Sequence, residues 1–142
     1  MLDTIALVVT ALGVSLGAWQ LHSSMRLAQT TFEDSVDQQY RALAARVPMD
    51  VWLGRAPPPE SRSEAREVAF QYLDLCNEQI LLRKLKRISD GRWKGWREGI
   101  EQNMGIPLVR EVWDEVVRER PGHLSNLERL HAANYRVDPK RW

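Results

Sequence analysis

The sequence predicts an all-α protein: one N-terminal transmembrane helix continuing into a stalk, then a small helical domain of about four helices. Three observations predict it. Residues 4–25 contain no Asp, Glu, Lys or Arg. From Met25 onward, apolar residues recur at steps of three and four. No period-two alternation appears anywhere in the 142 residues.

The composition bounds the rest. The 20 basic side chains nearly cancel the 19 acidic ones, and the mean hydropathy is −0.42. A global basic field for DNA and a polytopic membrane protein are both excluded. The lone Cys76 excludes an internal disulfide and any multi-cysteine metal site.

The uncharged run from Thr4 to Met25 would reach roughly 33 Å as a helix, close to the hydrocarbon thickness of a bilayer. Its densest apolar part is Ile5 to Trp19, and Trp19 is followed by polar Gln20, His22, Ser23 and Ser24. An amphipathic ring beside polar groups suits the membrane–water boundary, so Trp19 is the expected interface anchor. A cleaved leader would want a basic start, whereas this one begins Met1-Leu2-Asp3. Arg26, Arg41 and Arg46 follow the span, which places the C-terminal domain on the cytoplasmic side of a bacterial inner membrane and the N-terminus outside. Ala6, Thr10, Gly13 and Gly17 fall on one face of this helix, and removal of side chains there lets another helix approach closely. Self-association and docking onto a larger complex both remain open.

Residues 26–47 form the expected stalk. Met25, Ala28, Phe32, Val36, Tyr40, Leu43 and Val47 make one apolar stripe, which must meet either the later helices of the same chain or a parallel second copy. Pro48 ends it. Residues 48–60, with Pro57-Pro58-Pro59, read as a Pro-rich linker.

The helical domain spans residues 61–142. Ser61 and Glu64 have capping-box spacing at the start of a long helix, one face of which carries Val68, Tyr72, Leu75, Gln79 and Leu82. Cys76 falls in the same apolar band, where a thiol behaves as a small hydrophobe. After the turn Ser89-Asp90-Gly91, a further helix carries Trp93, Trp96, Ile100 and Met104 and stops at Gly105. Pro107 suits the first turn of the next helix, with Val109, Val112, Trp113 and Val116 inward. A last helix is expected near 124–134, with Leu124, Leu127 and Leu130 on one side, and an irregular tail follows.

Chemistry-bearing motifs are scarce. His22, His123 and His131 are scattered, and no Cys/His cluster, phosphate-cradling loop or nucleophile elbow occurs. His123, Glu128 and His131 are the nearest approach to a metal set, and a capped or surface histidine explains them better. No catalytic residue, metal or cofactor is therefore expected. Arg83, Lys84, Lys86, Arg87, Arg92, Lys94 and Arg97 form a basic stretch against the single acid Asp90, with Trp93 and Trp96 interleaved. Such a surface suits anionic lipid headgroups or an acidic protein partner ahead of nucleic acid, unless the acids between Glu98 and Glu119 neutralise it within the domain.

Through Gly91-Arg92-Trp93, Trp96, Gly99-Ile100, Pro107 and Trp113, the chain resembles bacterial single-span, membrane-anchored helical proteins of a family of unknown function. The resemblance covers only part of the chain and implies a fold plan but no activity. The expected role is a non-enzymatic interaction protein: an accessory or assembly subunit of a larger membrane complex of respiratory or photosynthetic type. Its partners would be the bilayer and other membrane subunits, or a second copy of itself. A tethered enzyme or signalling effector with an unrecognised site is the rival reading.

Overall fold

A computed structural model describes the backbone of residues 2–142 and the side chains of residues 13–142. The architecture is all-α. Among the described residues six helices run in the order α1 (Leu2–Ala44), α2 (Met49–Trp52), α3 (Arg62–Lys84), α4 (Asp90–Asn103), α5 (Pro107–Glu119) and α6 (Ser125–Ala132). Single 3-10 turns lie at Pro59–Ser61 and Pro139–Arg141, and there is no strand among the described residues. The chain divides into two units, Met1–Ser35 and Val36–Trp142.

In the first unit, Val14, Leu16, Trp19, Leu21, Met25 and Leu27 are all exposed. Among the described residues no helix is long and apolar enough to cross a membrane. Residues 13–25 alone reach roughly 20 Å, short of a hydrocarbon core of about 30 Å. The side chains of the front half of the expected span, Ala6 and Thr10 among them, lie outside the described ones.

In the second unit α3 is the centre. Val68, Leu73, Cys76 and Ile80 on it are fully enclosed, and α4, α5, α6 and the C-terminal turn pack around it. Leu124, Leu127 and Leu130 seal one side; Val109, Val112 and Trp113 of α5 seal another. The apolar stripe from Val36 onward joins the same chain's core: Val36 is buried, and Tyr40 and Leu43 pack against it. Val47 instead covers a second, smaller cluster of Val51, Ala65 and Leu108.

Within the stretch 48–60, Met49–Trp52 makes one helical turn that buries Val51, and Gly54 at φ 75° closes it. Gly54 N–H donates to Val51 O and Arg55 N–H to Asp50 O, so the turn's last carbonyls are satisfied. One local expectation is corrected: the capping box of Ser61 and Glu64 does not form. Ser61 ends the preceding 3-10 turn at φ −104°, ψ 0°, and its hydroxyl donates back to Pro58 O at 3.2 Å. An N-cap needs extended backbone to aim its oxygen at the helix, and Ser61 lacks it. Ser89 has it (φ −64°, ψ 156°) and accepts from Arg92 N–H.

The last turn of α3 contains Arg83, 3% exposed. Its Nε and Nη2 donate to the two carboxylate oxygens of Asp138 at 2.8 and 2.5 Å. Nη1 donates to Ile88 O at 2.7 Å and Nη2 to Asp90 Oδ1 at 2.6 Å. The Asp138 carboxyl is held below the usual carboxylate range by these Arg83 hydrogen bonds. Lys140 and then Arg83 bring Asp90 from 3.8 down to about 2. Both carboxylates favour the charged form on folding, so this contribution is present above about pH 4 and lost as pH falls towards 2.

Arg83→Met should lower stability by about 3 kcal/mol, because the half-buried Asp138 loses its two-pronged guanidinium and keeps only the Lys140 backbone N–H at 3.0 Å and its ammonium at 3.8 Å. Chemical denaturation of the full chain in mild detergent measures this. The same series between pH 5 and 2 should show a steep acid loss in the wild type and a shallower one in the variant.

Candidate functional site

The basic stretch 83–97 is not a continuous surface. Arg83 is a correction to that expectation: it is withdrawn into the core, because α3 ends over the C-terminal tail and Asp138 waits there. Arg92 Nη1 donates to Asp37 Oδ2 at 2.5 Å, and Arg97 meets Glu98 at 3.9 Å. Lys84, Lys86, Arg87 and Lys94 are exposed. Of these, Lys84, Lys86 and Lys94 have no ion pair among the described residues. Lys86 stands in the left-handed region at φ 60°, closing α3 with its N–H on Arg83 O and that of Arg87 on Leu82 O. Asp90 and Asp138 thus pair with Arg83, and Asp37 with Arg92. Glu111 and Glu115, from the acid-rich stretch 98–119, are engaged with Arg62 and Arg66 of α3 instead.

The two tryptophans take different places. Trp93 is buried in the core, while Trp96 is half-buried and its Nε1–H donates to Asp37 Oδ1 at 2.6 Å. Asp37 thus has one oxygen on a guanidinium and the other on an indole. It forms one end of a cleft of about 330 Å³ between the C-terminal part of α1, α3 and α4. Tyr40 and Tyr72 form a tilted aromatic wall, with ring centres 6.0 Å apart, and Asn103 Nδ2 donates to the Tyr72 hydroxyl at 3.1 Å. Gly95 and Gly99 supply the α4 side, one helical turn apart, and Gln79 and Arg41 complete the lining.

Nothing in the packing requires those two glycines. A Cβ built on either meets no atom within 4 Å, and neither has a positive φ. Glycine inside a helix costs about 0.5–1 kcal/mol relative to alanine. The smooth α4 face is thus carried against helix propensity, and what it keeps open is the cleft.

The remaining sequence-derived candidates are placed as follows. Gly13 and Gly17 are exposed, with open space at each Cβ position, and Trp19 is exposed two-thirds of its surface. His123 stacks on Phe70, Glu128 accepts from Gly122 and Leu124 N–H, and His131 sits between Trp113 and Tyr135. Burial holds the His131 imidazole below its ordinary value. No group of three or more His, Cys, Asp or Glu that could hold a metal gathers among the described residues. Cys76 is fully buried, and burial pushes its thiol up to about 12, so it is no nucleophile at neutral pH. The cleft was missed from sequence. Its one legible signal was the recurrence of Gly91, Gly95 and Gly99 every four residues, which puts them on one helical face.

Gly95→Ala and Gly99→Ala should each raise stability by about 0.5–1 kcal/mol, read as an increased denaturation midpoint of the full chain. A decrease would mean that the cleft is closed tighter than the open Cβ positions indicate. No protein-family model, no curated protein and no solved structure matches this chain.

Proposed function

We propose that the chain is a non-enzymatic, membrane-anchored interaction protein, an accessory or assembly subunit of a larger bacterial membrane complex of respiratory or photosynthetic type. The observation that carries this reading is the run 4–25, uncharged throughout and apolar from Ile5 to Trp19. Val14, Leu16 and Trp19 within it are exposed. Such a run stranded in water leaves its apolar side chains without cover, and lipid tails or apposed helices supply one. Residues 4–12 extend the described 13–25 to about 33 Å, enough for one pass.

Gly13 and Gly17 offer close approach to a neighbouring helix. Trp19 sets the depth, and Arg26 favours a cytoplasmic position for the second unit. Beyond the membrane surface, Lys84, Lys86 and Lys94 give a cationic face for an acidic subunit or anionic headgroups.

Expressed in bacteria, the full chain should sediment with membranes and resist extraction by alkaline carbonate. Gly13→Leu with Gly17→Leu should leave that sedimentation unchanged and reduce recovery of co-purifying subunits severalfold in mild detergent. A chain that stays in the supernatant without detergent overturns the anchor. Unchanged co-purification overturns the helix-packing face.

A further inference from the structure

The cleft between the end of α1, α3 and α4 contains a polar group that no other protein group meets. Gln79 lines it, is 5% exposed, and has no hydrogen-bond partner among the described residues, and its amide is not among the side-chain atoms sealed from solvent without a partner. A carboxamide offers one acceptor and two donors, and in the cleft a ligand can replace the water that would otherwise meet them. The open glycine face of α4 and this available amide are independent features of the same cavity.

We propose that the cleft is a binding site for a small planar heterocycle that carries a lactam-type edge and an anionic substituent. Each part of that description answers a part of the site. A lactam N–H and C=O are complementary to the Gln79 carboxamide, giving and receiving one hydrogen bond each. A flat ring fits over Gly95 and Gly99, where any side chain would stand in its way, and meets the faces of Tyr40 and Trp96. Arg41 at the rim is exposed and has no ion pair among the described residues, so it can receive an anion. Asp37 does not oppose that charge strongly, because Arg92 and Trp96 already engage both of its oxygens. The volume of about 330 Å³ takes one ring system with a substituent and is too small for a dinucleotide. A docking helix is a poorer occupant: its apolar side chains would cover Gln79 without pairing it, and the open face spans a single turn.

The test uses orotate as the probe, with uracil lacking the carboxylate and benzoate lacking the lactam edge. The full chain in mild detergent, labelled with ¹⁵N at tryptophan and glutamine, is titrated and followed by NMR. Orotate should saturably shift the Trp96 indole and Gln79 side-chain signals, while uracil and benzoate bind about tenfold or more weakly. Gly99→Leu, which places a side chain in open space, should abolish those shifts without lowering the denaturation midpoint. Gln79→Leu should weaken orotate about tenfold or more. Absence of saturable shifts with all three probes up to about 10 mM overturns the proposal. So does wild-type affinity in Gly99→Leu, or benzoate binding as well as orotate.

Discussion

The second unit is organised around one buried cation. The Arg83 guanidinium reaches three places at once: the Ile88 carbonyl in the turn after α3, Asp90 at the start of α4, and Asp138 just before the final 3-10 turn. Removing a guanidinium from water is expensive, and it is tolerated when its donors are satisfied in good geometry. Here the two-pronged contact with Asp138 supplies that geometry, and Lys140 adds a second cation on Asp90 at 2.9 Å. The charges thus specify which way the chain leaves α3 and where its end returns. Apolar burial, which has no direction, cannot specify either.

That constraint also places the cleft. Arg83 fixes the start of α4, so the glycine face of α4 and Trp96 hold a set position against α3. The Asp37 carboxylate then clasps α4 from the other side through Arg92 and Trp96. Two ion clusters, one buried and one half-buried, thereby hold the first half of a 14-residue helix whose buried residues are Trp93 and Ile100. A helix held by polar contacts along its first half can leave the face of Gly95 and Gly99 open.

The elements that periodicity controls were legible in the sequence. The spacing of Val68, Tyr72 and Leu75, of Trp93 and Ile100, and of Val109, Val112 and Trp113 gave α3, α4 and α5 with the correct inward faces, because burial and helical period act on the same residues. What failed were arrangements decided by residues far apart in the chain. Arg83 reads as a surface cation until Asp138, 55 positions later, is placed beside it. Asp37 reads as a solvated stalk acid until Trp96, 59 positions later, arrives. Ser61 failed for a local reason: Pro58 and Pro59 direct the chain into a 3-10 turn, which denies the serine its capping conformation. Gln79, placed on an apolar face by its register, gives no sequence sign that its amide lacks a partner.

The last helix borrows its beginning. α6 has eight residues and no side-chain cap of its own at Leu124. Its first free N–H groups, those of Asn126 and Leu127, are accepted by Asn77 Oδ1, a side chain of α3. So short a segment does not nucleate alone in water, and the group that terminates it exists in the right place only after α3 has coiled. α6 is therefore a dependent of α3: whatever melts the long helix unravels the short one, and the segment from residue 124 onward docks late, onto a scaffold already built.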